Sequence, residues 1–409
     1  MRVRIEDVQT SLLTGPVSSD PFAGFDARPF RSAAFVELLS SAGVVGIGET
    51  YAGYFFPEVV PSVVDFFCPI LVGAEDPLDV PTLVQRMRDC CIFWGRVGLG
   101  PTVISAIEAA LWDLKGKLLG VPVYELLGGL CHDRLLAYAS GGAVRWPAEH
   151  DKLRAQLELY LELGYRAVKT AASFYDAAGS QPVHAVAEWE ADRSSTIREF
   201  VGGDVEILLD AHQGFLRTGC HWDLETARAA LDAVTPSGIL LFEEPLPYHD
   251  PELYRQLRDG ATVPVAGGEQ LTTAHEFHLY GEAFDIAQPD AAWLGIGDYL
   301  EVGRLYAESG RKIASHCWGA GGAAMQNLHA SFATEATLIV EGLQAPGPLH
   351  TEIWGDSYQM SDGFLLPPEA PGLGVQLTEE IKNRYPFQAG HEEFVSVPGK
   401  VLPGETVLP

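Results

Sequence analysis

EILLDAH (206–212), GILLFEEP (238–245) and VPVAGGEQ (263–270) each carry a short apolar run into an acidic residue, Asp210, Glu243 and Glu269. Runs of this length, rich in Leu, Ile and Val, read as buried strands. The intervals, 243 − 210 = 33 and 269 − 243 = 26 residues, match a strand, a helix and two loops of a βαβ unit, so the strands are expected to be parallel neighbours. Three carboxylates delivered by successive parallel strands can converge on one divalent cation. Carboxylate oxygen suits a hard ion such as Mg²⁺, which keeps open positions for water or substrate. An ion left partly open is suited to catalysis.

Outward from this core, short apolar runs alternate with amphipathic stretches from about Leu135 onward. LLAYASG, AVKTAAS, EILLDAH, ILLFEEP, VPVAGGE, DIAQPDA and KIASHCW read as strands, with a last one near GPLHTEIW (347–354). AEHDKLRAQLELYLELG, DLETARAALDAV and YLEVGRLYAESG between them read as helices. Eight parallel strands in this order predict a TIM-like barrel whose active site forms at the strands' C-terminal ends. Ahead of it, strand-like stretches at 2–12, 33–39 and 44–49 precede PTVISAIEAALWDLKGKLLG (101–120), a helix with Val103, Ile107, Ala110, Leu111, Leu114 and Leu118 on one face and Gly120 at its end. This segment reads as an α+β cap. The tail, with DGFLLPPEAPGLGVQL (362–377), is Pro and Gly rich and is expected to pack back on the cap. The expected organisation is a cap over 1–125, a barrel over 126–354 and a returning tail over 355–409.

A chain of 409 residues exceeds what one hydrophobic core usually organises. Its 47% hydrophobic and 20% charged composition is that of a soluble globular protein. The N-terminus lacks a signal-peptide pattern, and nowhere do about 18 uncharged apolar residues run together, so a cytoplasmic protein is expected. The net charge of −28, from 27 Lys plus Arg against 55 Asp plus Glu, argues against a nucleic-acid partner and against an anionic membrane surface. It does not exclude an anionic small molecule, because screening ends the global field within roughly 8 Å and local cations dominate inside a cleft. The six cysteines show no zinc spacing and are expected to be buried, reduced thiols.

EAALWDLKGKLLGVPVYELLGG, LLDAHQG, FEEPLP, AGGEQL, AQPDAAWLGIG, ASHCWG, LHTEIW and PGLGVQL, in this order over nearly the whole chain, resemble the enolase superfamily in its mandelate racemase branch. The resemblance implies a (β/α)7β modified TIM barrel under an α+β capping domain formed by the N-terminal segment and the C-terminal tail. It also implies one Mg²⁺ per subunit, a small-molecule carboxylate substrate and removal of the proton α to that carboxylate. A homo-oligomer is expected. Such a proton is very weakly acidic, so the enediolate formed needs a metal and hydrogen-bond donors at its oxygens. Asp210, Glu243 and Glu269 would hold the metal. Strand alternation sends only one of Glu243 and Glu244 inward, and the family pattern assigns the first.

His316, ending KIASH, is the expected general base, because imidazole titrates near neutral pH. Asp290, in QPD and 316 − 290 = 26 residues earlier, sits at the preceding strand's end, where it can orient the imidazole. Glu352, in LHTEIW, matches the family's last-strand glutamate, which donates a hydrogen bond to the enediolate. Relatives often carry Lys-x-Lys on the second strand; here Lys169 is followed two places on by Ala171, which cannot carry a proton. His212, two residues past Asp210 and expected on the same strand face, can instead protonate a departing β-hydroxyl, as in acid-sugar dehydratases that carry His there. Lys169 then reads as a binder of the substrate carboxylate or of a metal-bound oxygen rather than as a base. Phe22, Phe25, Tyr51, Tyr54 and Phe55 of the cap, with Trp318 and Trp354 beside the two candidate chemical groups, are expected to line the pocket. The expected activity is dehydration of an acid sugar to a 2-keto-3-deoxy acid. The alternatives are a one-base epimerase or cycloisomerase, a Schiff-base aldolase using Lys169, and a non-catalytic homologue.

Overall fold

The computed structural model describes residues 3–17, 30–141, 146–171, 182–215, 221–248, 250–344 and 346–390. The cap begins with an antiparallel sheet of β1 (Ile5–Pro16), β2 (Phe30–Ser40) and β3 (Val45–Thr50) in that order. Helix α1 (Leu99–Leu119) lies across it, and ends where Gly120 adopts a left-handed φ of 72°. The contact is close because β3 alternates glycine: a Cβ on Gly46 or Gly48 would stand 2.1 Å from the carbonyl oxygens of Ala110 and Ala106. Asp113 of α1 accepts hydrogen bonds from the Ile47 and Leu373 N–H groups at 2.8 and 2.7 Å and pairs with Lys117 at 2.6 Å. One carboxylate thus ties the sheet, the helix and the returning tail together.

The barrel strands are β4 (Leu135–Gly141), β5 (Ala167–Ala171), β6 (Glu206–Asp210), β7 (Leu241–Glu243), β8 (Val265–Gly267), β9 (Ile286–Ala287), β10 (Lys312–Ser315) and β11 (Thr337–Gly342). All pair in parallel, and β11 closes onto β4 with Val340 opposite Ala137 and Gly342 opposite Ala139. Seven strands lie where the sequence places them; the eighth does not. GPLHTEIW contains the helix Pro348–Trp354, with Pro348 at its first turn. The strand comes earlier, in the β-branched run TLIVEG. A hairpin of β12 (Met360–Ser361) and β13 (Phe364–Leu365) then pairs antiparallel to the start of β4.

Inside the barrel one side chain from each strand forms an apolar layer: Tyr138, Ala167, Leu208, Leu241, Ala266, Ile286, Ala314 and Ile339. Three alanines make room for the tyrosine, so the layer is filled rather than hollow. Beyond it the tail runs along the cap. Pro386 bridges Leu13, the Thr14 N–H donates to the Tyr385 carbonyl at 3.1 Å, and the Gln388 N–H donates to Thr14 Oγ1 at 2.9 Å. Lys382 reaches Glu37 of β2 at 2.9 Å.

Among the described residues no helix is long and apolar enough to cross a membrane. Five cysteines in them are free; Cys91 and Cys317 are buried, but Cys90 and Cys131 are exposed, which corrects the expectation of uniformly buried thiols.

Candidate active site

Two residues on from the apolar layer, strand alternation returns the chain to the same interior face. There the apolar layer gives way to Lys169, Asp210, Glu243, Gln288, His316 and Glu341, all buried. On β8 the same step lands on Gly268, whose left-handed φ of 114° shifts the chain so that Glu269 joins the ring. Only glycine fits at this point, since a Cβ would meet the Phe277 ring at 2.5 Å. The ring of polar groups is therefore a consequence of strand period, stacked on a packed floor.

Ligand oxygens of Asp210, Glu243 and Glu269 lie within 4.8 Å of one another. Glu244 turns elsewhere, at a left-handed φ of 45°, and accepts a hydrogen bond from Gln270 Nε2 at 3.3 Å. Lys169 Nζ sits 2.8 Å from Glu243 Oε2 and 3.4 Å from Asp210 Oδ2, above the Tyr138 ring. Burial lowers the Lys169 pKa, but Glu243, Tyr138, Glu341 and Asp210 outweigh it and hold the ammonium well above its usual range. An ammonium paired with two carboxylates is a poor nucleophile, which counts against the Schiff-base alternative.

Burial pushes Asp210 up, yet His212 and Lys169 outweigh it and bring its pKa to about 2. Burial, followed by repulsion from Asp210, raises Glu243. Burial raises Glu269 well above the carboxylate range despite His316. Glu243 Oε1 is buried without a hydrogen-bond partner. Three converging carboxylates with one ammonium, two of the carboxylates pushed toward protonation, are a donor set suited to a hard cation. The residues fit Mg²⁺. Cation binding should therefore expel protons and weaken as pH is lowered, because the raised carboxyls must ionise first. Calorimetry in buffers of differing ionisation enthalpy reads this directly; a pH-independent affinity with no proton release would contradict the assignment.

Across the ring, His316 Nδ1 lies 2.9 Å from Asp290 Oδ2, while Nε2 faces Glu269 Oε2 at 3.5 Å and Glu341 Oε2 at 4.0 Å. Asp290 is held by Asn327 Nδ2 and the Ala292 N–H, both at 2.8 Å. Fixing the carboxylate makes Nδ1 the protonated nitrogen and leaves Nε2 facing the ring's interior. Burial lowers the His316 pKa, but Glu269, Asp290 and Glu341 outweigh it and raise it to about 10. Positive charge at the trio removes the Glu269 contribution and lets the imidazole act as a base nearer neutrality.

His212 departs from strand alternation. β6 ends at Asp210, and His212 takes a left-handed φ of 47°, an uncommon conformation costing about 1 kcal/mol or more. Its N–H donates to Asp210 Oδ1 and its Nε2 lies by Asp210 Oδ2, both at 2.8 Å. The imidazole is thus brought to the trio by its own turn, not by the strand face.

Glu352 does not reach this ring. It lies on the Pro348–Trp354 helix and accepts hydrogen bonds from Arg384 Nη1 and the Tyr385 hydroxyl, both at 2.7 Å. The last-strand acid is Glu341, whose Oε2 also accepts the Cys317 N–H at 2.9 Å. Trp354 stacks on Tyr358 at 4.4 Å and packs in the main core. Tyr54 is wholly buried and packs its ring 5.1 Å from that of Tyr51. Tyr51 stands edge-on to His316 at 5.9 Å, with Trp293 at 5.0 Å and Phe55 at 5.5 Å from its own ring. Trp318 carries the Arg31 guanidinium at 4.9 Å. Phe22 and Phe25 lie outside the described residues. Glu341, Gln288, Asn327 and Trp293 are the site residues that the sequence reading missed. Glu341 shows the same apolar run into an acid as the metal trio.

Residues 17–128 match the family model for the mandelate racemase / muconate lactonizing enzyme N-terminal domain, and residues 152–381 match the enolase C-terminal domain-like model. The arabinonate dehydratase of Saccharolobus solfataricus is 29% identical, covering 88% of this chain and 92% of its own. The L-talarate/galactarate dehydratase of Salmonella typhimurium is 30% identical, covering 93% and 90%. A racemase structure from Streptomyces coelicolor with bound magnesium superposes with a TM-score of 0.78 at 26% identity, over 93% of this chain and 99% of that one. With both halves matched and the polar ring in place, the chain belongs to the enolase superfamily, in its mandelate racemase and muconate lactonizing enzyme branch.

Proposed function

We propose that the protein is a Mg²⁺-dependent acid-sugar dehydratase. The observation that carries this reading is the pairing, across one buried ring, of the His316–Asp290 couple with an imidazole, His212, held on Asp210. Two groups able to move protons follow the ends of different strands, and Ala171, opposite Asp210 in the β5–β6 register, puts no proton-carrying group at the end of the second strand. The dehydratase relatives support the same class.

Asp210, Glu243 and Glu269 would hold Mg²⁺, which when bound would supply Lewis-acid stabilisation of the charge that develops on the substrate carboxylate. Lys169 adds a fixed positive charge beside it. His316 Nε2 takes the proton from the carbon α to the carboxylate, and Asp290 stabilises the imidazolium formed. Glu341, beside Nε2, is placed to hydrogen-bond the enediolate, the role the sequence reading gave Glu352. The C–O bond at the β-carbon then breaks, His212 gives a proton to the departing hydroxyl as water, and the enol tautomerises to a 2-keto-3-deoxy acid. Tyr51 and Trp293 wall the imidazole side and exclude water.

The test is a panel of aldonic and aldaric acids incubated with Mg²⁺ in D₂O, followed for keto-acid formation and for solvent deuterium. Deuterium in recovered or epimerised acid without any keto acid would replace dehydration by one-base epimerisation. The His212→Asn variant should keep α-proton exchange while elimination falls about 10²-fold. Equal loss of both would remove a separate acid role for His212.

A further inference from the structure

Glu49 is the last residue but one of β3 of the cap, yet its carboxylate lies wholly buried at the barrel. Its Oε1 accepts the Ala320 N–H at 2.7 Å and its Oε2 the Ala323 N–H at 2.8 Å, and the Gly322 N–H also bonds it. These donors belong to the stretch GAGGA (319–323), which follows His316 and runs into the first turn of the helix Gly322–Phe332. Such a cluster of N–H groups at a helix N-terminus is an anion site; here the cap's own side chain fills it. Gly322 permits the approach, since a Cβ there would stand 2.8 Å from Glu49 Cβ. Gln326 completes the joint, accepting from the Glu49 N–H at 2.8 Å and donating to its carbonyl at 3.2 Å.

Both ends of this joint lead to the base. On the barrel side the loop begins at Cys317, the residue after His316. On the cap side Thr50 donates to the Thr102 carbonyl at 2.7 Å and accepts the Ala52 N–H at 3.2 Å, and Tyr51 follows, edge-on to the imidazole. Burial raises the Glu49 pKa to about 7 against the three N–H groups and Arg31. A mere tie between cap and barrel needs no ionisable group, as the neutral Gln326 beside it shows.

We propose that Glu49 is a positioning residue: it clamps the cap to the loop behind His316, so that the imidazole and Tyr51 are held in one arrangement when the α-proton is removed. This rests on the reading of His316 as the base. Glu49→Gln keeps the size but places an NH₂ group against backbone N–H donors, so the clamp loosens.

The experiment compares Glu49→Gln with Asp113→Asn, which weakens the cap away from the seam. For Glu49→Gln, kcat of α-proton exchange should fall at least about tenfold with KM within about twofold, and amide hydrogen exchange over 317–323 should quicken. Asp113→Asn should lower Tm comparably while leaving kcat and those amides near parental. Parental kcat in Glu49→Gln, or an equal kcat loss in Asp113→Asn, overturns the proposal. If the parent exchanges no acid's α-proton, the functional reading fails instead, and the amides alone decide: unchanged protection over 317–323 overturns the clamp. Should Glu49→Gln not fold, Gly322→Ala pushes on the same carboxylate from the other side and is read by the same two measurements.

Discussion

His316→Asn is expected to lower solvent-deuterium exchange at the α-carbon by about 10²- to 10⁴-fold, with elimination falling equally. Asparagine retains a donor for Asp290 Oδ2, so the second partner of the couple stays hydrogen-bonded and buried. What is lost is the nitrogen 3.5 Å from Glu269 and 4.0 Å from Glu341, the atom that faces the space between the trio and the last strand. Because the trio itself is untouched, Mg²⁺ affinity by calorimetry should remain, and folding should be little changed. Exchange within tenfold of the parent, with metal still bound, would show that another group removes the proton. His212, on the far strand, would then be the first to examine.

Glu341→Gln and Glu352→Gln form a crossed pair that separates structure from motif. Glu341 projects from β11 into the ring and meets both His316 and the Cys317 N–H. Its amide isostere keeps the volume but removes the carboxyl oxygen pair that faces the imidazole and holds the Cys317 N–H, so turnover should drop by about 10²-fold, the scale of losing one positioned proton-handling group. Glu352 is engaged by Arg384 and Tyr385 on the tail side of its helix. Its replacement touches a partly exposed ion pair, which contributes little, and turnover should stay within about twofold. Steady-state kinetics on any accepted acid, with melting temperatures as control, decides the matter. The reverse ranking would mean that the Pro348–Trp354 helix, not β11, supplies the acid.

The pair also shows where sequence reading succeeds and where it fails. Asp210, Glu243 and His316 each follow a run whose strand period aims them inward, so counting residues finds them. TLIVEG carried the same signal, but the motif-like LHTEIW drew the last strand eleven residues too far on (352 − 341 = 11). The Pro-Gly-Pro before it reads as a turn into a strand, although proline at a helix's first turn is equally natural. Glu269 lies one step out of period, and the left-handed Gly268 that corrects it has no signature beyond a second glycine. His212 was found for the wrong local reason, since its backbone leaves the strand before the side chain turns back. Asn327, Trp293 and Glu49 act through contacts between segments far apart in the chain, which periodicity does not encode. The floor of the barrel, by contrast, was implicit throughout: each polar ring member sits two places beyond an apolar one, or three where Gly268 intervenes.

The tail's course along β1 has a bearing on solubility. In the β1–β2–β3 order β1 is an outer strand, and Pro386, Tyr385 and Gln388 occupy its free side around Leu13 and Thr14. Proline bonds nothing further outward, so it caps the ladder and presents no template for another chain. A polypeptide cut back before Tyr385 would keep every chemical group of the barrel, yet expose an open strand flanked by apolar residues. Its failure would appear as self-association through strand pairing, at concentrations where the intact chain stays dispersed.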